Sequence, residues 1–219
     1  MHLRTPAVLA TVAALSLGAT ACGSDESSSS SSSAAATKTT EPVAQIDSLT
    51  GKSTAVTLDA GFVDALTQLK LTPSPLGDAS ISKTGVATFP ITGGNVKYYK
   101  PGSVSPYVQG EIDHEGSGFS LTGGGKKVEL TDFVIDPGKS VLTGNVSVDG
   151  KETATGAPLF FLDGRTLKPL KAGDGTAVLE GTTVKLKQEA ADLLNETFGT
   201  DALKAGLVIG VATITVNTA

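Results

Sequence analysis

Cysteine occurs once, tryptophan not at all, methionine once and histidine twice in these 219 residues. With Cys22 the only thiol, no disulfide can close within the chain, whatever its redox compartment. A Cys–His nucleophile pair or a multi-histidine zinc site needs more of these residues, because His2 lies in an N-terminal leader and His114 alone remains. The missing tryptophan and the low aromatic content, 5%, argue against a platform that stacks sugars. Acidic residues outnumber basic ones by 22 to 17 for a net charge of -5, and no basic stripe marks a nucleic-acid partner. There is no Gly-x-Ser-x-Gly elbow, Gly116-Ser117-Gly118 reading instead as a turn. Gly123-Gly124-Gly125-Lys126-Lys127 lacks the frame of a phosphate-binding loop.

What is present begins with an address. Arg4, the apolar run from Pro6 to Leu17 and the small residues Gly18 to Ala21 have the three parts of a secretory signal over residues 1–21. The apolar run is too short to span a bilayer. Ala19-Thr20-Ala21-Cys22-Gly23-Ser24 resembles a bacterial lipobox, with Ala19 where that motif usually has Leu, and this resemblance implies acylation of Cys22, by palmitate or a similar chain, as a membrane anchor. Plain secretion after cleavage is the alternative. The serine run Ser27–Ser33 and the Ala/Thr/Lys/Pro stretch after it have nothing apolar to bury, so residues 22–44 read as a disordered tether. At roughly 5–6 Å × √n it would hold a domain about 25 Å from the outer face of the cytoplasmic membrane. Its composition fits a cell-wall-bearing, actinobacterial envelope.

Residues 45–219 are enough for one domain with a sizeable core. Glycine and Asp-Gly turns punctuate runs rich in Val, Ile, Leu and Thr, the pattern of many short antiparallel strands. Val86–Ile91, Val96–Tyr99, Phe119–Leu121, Lys127–Ile135 and Val141–Val148 are the clearest, and Ala157–Leu162 reads as a strand buried on both faces. Two segments switch to helical spacing: 59–70, with Asp59 as N-cap and Phe62, Ala65, Leu66 and Leu69 on one face, and 187–198, stopped by Gly199. The expectation is a mainly β fold, an antiparallel β-sandwich or curved two-layer sheet with two short helices. An internal repeat, residues 52–91 against 184–216 at an offset drifting from 128 to 125, would place a strand–helix–strand unit at each end and bring the first and last strands together.

Candidate chemistry gathers around His114. On a strand, Glu111, Asp113 and Glu115 share one face and Ile112 and His114 the other. The carboxylate row reads as a solvated face, with a hard cation such as calcium the alternative. His114 reads either as a packed, hydrogen-bonded core residue or as a ligand. No metal site is assigned.

Gly110 through Val148, in which His114 is followed by Glu115 and Gly116 and then by alternating strands, resembles the central part of HtaA-type domains, and the resemblance extends to the helix around Phe62. It implies a surface-anchored β-rich module of the kind associated with haem capture. In that family a tyrosine near the N-terminal helix ligates iron and a histidine in a Gly-His-x-Gly turn supports it. His114 matches the second role. The first is unmatched, because the helix carries Phe62, Ala65 and Leu66; Tyr98, Tyr99 or Tyr107 would have to supply the phenolate, or the fold is shared without haem. The expected function is therefore a non-enzymatic binding module for haem or another apolar ligand. A structural or adhesive envelope protein is the alternative, and a carboxylate-based hydrolase using Asp113 and Glu115 is the third reading.

Overall fold

A computed structural model describes residues 40–218. The expected leader, Cys22 and the serine run lie outside the described residues. The described residues form one compact unit. It opens with β1 (Ala44–Ile46), β2 (Lys52–Leu58), helix α1 (Ala60–Gln68), β3 (Thr72–Gly77), β4 (Ser80–Ile81), β5 (Val86–Pro90) and β6 (Gly93–Tyr98). The meander follows as β7 (Val108–Gly123), β8 (Lys126–Asp136), β9 (Val141–Val148) and β10 (Lys151–Asp163). The chain closes with β11 (Lys171–Gly173), β12 (Thr176–Leu186), helix α2 (Gln188–Phe198) and β13 (Val208–Asn217).

These strands make one strongly curled antiparallel sheet, a half-barrel, in the order β1-β6-β7-β8-β9-β10-β12-β13-β2-β5-β4, with β3 on β7 and β11 on β12. The expected mainly β, curved architecture with two short helices is what forms. The two layers are opposite walls of a single sheet, because pairing runs from β10 through β12 and β13 to β2. β2 lies directly against β13, with Leu58 opposite Gly210 and Lys52 opposite Val216.

Both helices form where the apolar spacing places them. The Asp59 carboxylate accepts the Gly61 N–H at 2.8 Å and caps α1, whose Phe62 and Leu66, one turn apart, are buried. α2 buries Ala190, Ala191 and Leu194 and ends at Gly199, whose φ of 65° is the left-handed conformation that glycine adopts without a Cβ penalty. Two strand readings change. Gly116-Ser117-Gly118 is no turn but a bulge inside the unbroken 16-residue β7. The run Ala157–Leu162 is not buried on both faces, since Phe161 at the end of β10 is 44% exposed.

The curl has a local cause. Register shifts fall between His114 and Gly118 on β7, between Thr131 and Val134 on β8, and between Ala154 and Ala157 on β10, in one line across the sheet. Each bulge bends its strand and increases its twist. Asp132, at φ 52°, joins them: its carboxylate accepts the Gly116 N–H at 3.0 Å, the Thr131 hydroxyl at 3.1 Å and the Asn145 amide at 3.2 Å. The Asn145 side-chain oxygen then accepts the Gly156 N–H at 3.0 Å. Asp132→Ala removes that acceptor and puts a residue less suited to positive φ at the bend, and should cost about 3 kcal/mol. Asp132→Asn, which keeps an acceptor oxygen and tolerates the conformation, should cost about 1 kcal/mol. Urea denaturation of the two variants checks the difference.

Candidate functional site

Strand alternation turns one face of the curled sheet inward, and the inward side chains do not meet. They leave a cavity of about 540 Å³ whose walls are predominantly apolar. Phe62 and Leu66 of α1 and Leu194 of α2 line it at one end, Phe89 and Phe133 stand in the wall, and Tyr98 and Tyr107 lie at the other end. Phe89 and Phe133 meet edge to face with centroids 5.3 Å apart, a favourable aromatic geometry. The lining residues that are solvent-exposed, Ala44, Gln45, Ser105, Pro106, Phe161 and Arg165, come from β1, the β6–β7 loop and the end of β10. The cavity therefore opens there, away from the helices. Sealed and empty, such a void would cost on the order of 10 kcal/mol at roughly 24 cal/mol per Å³; the open mouth admits an occupant instead.

His114 stands in this wall, 1% exposed. Its Nδ1–H donates to the Phe133 carbonyl at 3.2 Å, and Nε2 therefore accepts the Thr54 hydroxyl at 2.8 Å. Of the two readings of this residue, the geometry is that of a packed, hydrogen-bonded histidine. Thr54 is on β2, so this bond crosses the interior between strands that five others separate in the sheet. Burial pushes the imidazole down to about 4, only partly offset by the Phe133 carbonyl, and keeps it neutral.

The remaining expected residues divide between the two ends. Phe62 is buried in the cavity wall at the helix end. Tyr98 and Tyr107 are at the mouth, edge to face at 5.8 Å, and burial followed by the neighbouring Tyr98 phenol pushes Tyr107 up. Tyr99 does not line the cavity; its backbone N–H donates to the Tyr107 carbonyl at 2.7 Å. Glu111, Asp113 and Glu115 share the face opposite the buried Ile112 and His114, Glu111 and Glu115 exposed and Asp113 half-buried. Among the described residues no group of three or more His, Cys, Asp or Glu side chains could hold a metal ion.

Sequence reasoning missed Thr54, the partner of His114, and Asp163 at the mouth. Asp163 is buried, and the Arg165 guanidinium, helped by Lys185, holds its carboxyl well below the usual carboxylate range. A threonine facing inward among Val and Ala on β2 carries no sequence signal that separates it from an ordinary strand residue. Asp163 had one, since Asp-Gly-Arg follows an apolar run.

Histidine titrates near 6.5 when unfolded and about 4 here, so between these values the unfolded chain binds the additional proton. Stability is therefore full above pH 6.5 and falls as the pH drops toward 4, by about 3 kcal/mol from this residue. Urea unfolding across this window should show the slope, and His114→Gln, which does not titrate, should flatten it.

No protein-family model and no curated protein matches the chain. Solved structures share its architecture, two of them as follows. The C-terminal domain of HtaA from Corynebacterium glutamicum superposes with a TM-score of 0.54 over 78% of this chain and 98% of that one, at 16% identity. Heme binding protein HtaB from Corynebacterium glutamicum superposes at 0.51 over 80% of this chain and 96% of its own, at 11% identity. The chain therefore has the HtaA-like β-rich fold.

Proposed function

We propose that this protein is a non-enzymatic binding module of the cell envelope, held by an acylated Cys22, that captures an apolar ligand inside its curled sheet. The observation that carries this reading is the 540 Å³ cavity, of a size typical for small-molecule sites, with predominantly apolar walls. Among the described residues no buried side-chain nitrogen or oxygen lacks a partner. No fully buried polar side-chain atom thus waits for a polar ligand, and the predominantly apolar lining selects chiefly by shape and apolar area. Burying ten methylenes is worth about 8 kcal/mol, the micromolar range before ordering costs.

An open cavity counts against a purely structural or adhesive role. Glu115 faces solvent on the side of β7 away from the cavity, which counts against a hydrolase built on Asp113 and Glu115.

Haem is the second reading, favoured by the fold shared with HtaB, which is named as a haem-binding protein. The donor set fits a haem iron poorly: α1 offers Phe62 and Leu66, both ring nitrogens of His114 are engaged, and the lining phenols, Tyr98 and Tyr107, stand at the mouth.

Titration of the full chain with N-phenyl-1-naphthylamine should show saturable one-to-one binding. Ala177→Phe, which fills the cavity wall, should weaken it at least ten-fold at an unchanged melting temperature. Absence of saturable binding removes the ligand reading. Hemin should give no Soret band beyond that of free hemin; a sharp band lost in Tyr98→Phe, Tyr107→Phe or His114→Gln would establish haem instead.

A further inference from the structure

The described chain enters the fold at the cavity mouth. Val43 donates its N–H to the Tyr98 carbonyl at 2.8 Å, and the next three residues, Ala44 to Ile46, form β1 and line the cavity. Residues 40–43 therefore lead into the fold at the rim and not at the helix end. Of the four large apolar side chains exposed among the described residues, Val43, 67% exposed, and Phe161 are at this rim, while Val63 is on α1 and Val211 near the start of β13.

The β6–β7 loop, the β8–β9 turn and the segment from Gly164 to Lys171 carry Lys100, Lys139, Arg165, Lys168 and Lys171 and no acidic residue. Asp136, Asp163 and Glu180 pair with four of these from the flanking strands, and Glu41 and Asp47 flank β1. The five bases and five acids at the rim balance, so the rim carries no net charge on a chain whose net charge is -5, while α2 carries Glu189, Asp192 and Glu196, of which Glu189 pairs with the preceding Lys187. Exposed apolar groups around an apolar opening, with the rim charges neutralised in pairs, suit a lipid surface.

We infer that the mouth docks on the membrane to which the chain is tethered and that the ligand it takes is the aliphatic chain of a membrane lipid. This rests on the ligand-capture reading above and names its ligand class and its source. Docking brings the apolar opening against the acyl region, so a chain passes from bilayer to cavity without crossing water. Tethering at the same end keeps the opening toward the bilayer.

The test follows transfer of pyrene-labelled phosphatidylglycerol from phosphatidylcholine/phosphatidylglycerol vesicles to the full chain, read as loss of excimer emission. Uptake is expected, lost in Ala177→Phe and at least ten-fold slower in a Val43→Asp/Lys100→Glu rim variant that still binds N-phenyl-1-naphthylamine with unchanged affinity. An unchanged transfer rate in the rim variant overturns docking. Failure to take up the labelled lipid by a protein that binds the soluble probe overturns the ligand class alone, whereas failure to bind that probe removes the underlying reading as well. Uptake only after Cys22→Ala would assign the cavity to the protein's own acyl chain and overturn the inference.

Discussion

The line of bulges across β7, β8 and β10 is the constraint on which the rest of this structure depends. Strands of 16, 11 and 13 residues, left regular, would give a long open sheet with two solvated faces. Bending them at one level rolls the sheet until β2 faces β7 across an interior. The bend leaves backbone groups out of the ladder, and buried groups of that kind need partners. Asp132 and Asn145 supply them to Gly116 and Gly156, so the curvature carries its own hydrogen bonds. The same bend leaves the Phe133 carbonyl available to His114.

A curled sheet can be a core or a container, and side-chain size decides which. At the helix end Leu66, Leu186, Leu194 and Leu203 fill the space, and this region is buried. Toward the mouth the walls include Ala44, Ala177, Thr182 and Ala212, which leave the centre open. Small residues on inward positions of several strands are thus the direct source of the cavity volume. They cost packing contacts that a filled core would have.

The local elements were legible in the sequence and their assembly was not. Phe62 and Leu66 at helical spacing, Asp59 before them, and Gly199 after the second periodic run fix both helices within a residue or two, because caps and apolar periodicity are local signals. The inward placement of Ile112 and His114 followed from alternation alone. What escaped was non-local. Gly116-Ser117-Gly118 has turn composition, yet its backbone continues in β7 because β3 and β8 pair on either side of it. Phe161 looks like core from its neighbours, and only the position of the mouth explains its exposure. The cavity has no sequence signature, since it is a space bounded by strands far apart in the chain. The carried-over haem ligands fared similarly: His114 is inside, while the available phenols sit at the rim.

His114 shows how one residue can serve stability and specificity together. Its two hydrogen bonds tie β7 to the bent β8 and, across the interior, to Thr54 on β2. The bond to Thr54 spans a gap that sheet pairing leaves to a path of five intervening strands, so it acts as a cross-strut on the half-barrel. A charged imidazole in that place would demand water or a counter-ion and spoil an apolar wall. Burial holds it neutral at physiological pH, and neutrality frees Nε2 to accept from threonine rather than to seek a ligand. A polar residue is thereby made inert toward an apolar guest. The walls then discriminate by volume and apolar surface, and whatever orients a polar head group must lie outside, among the tyrosines and cations of the mouth.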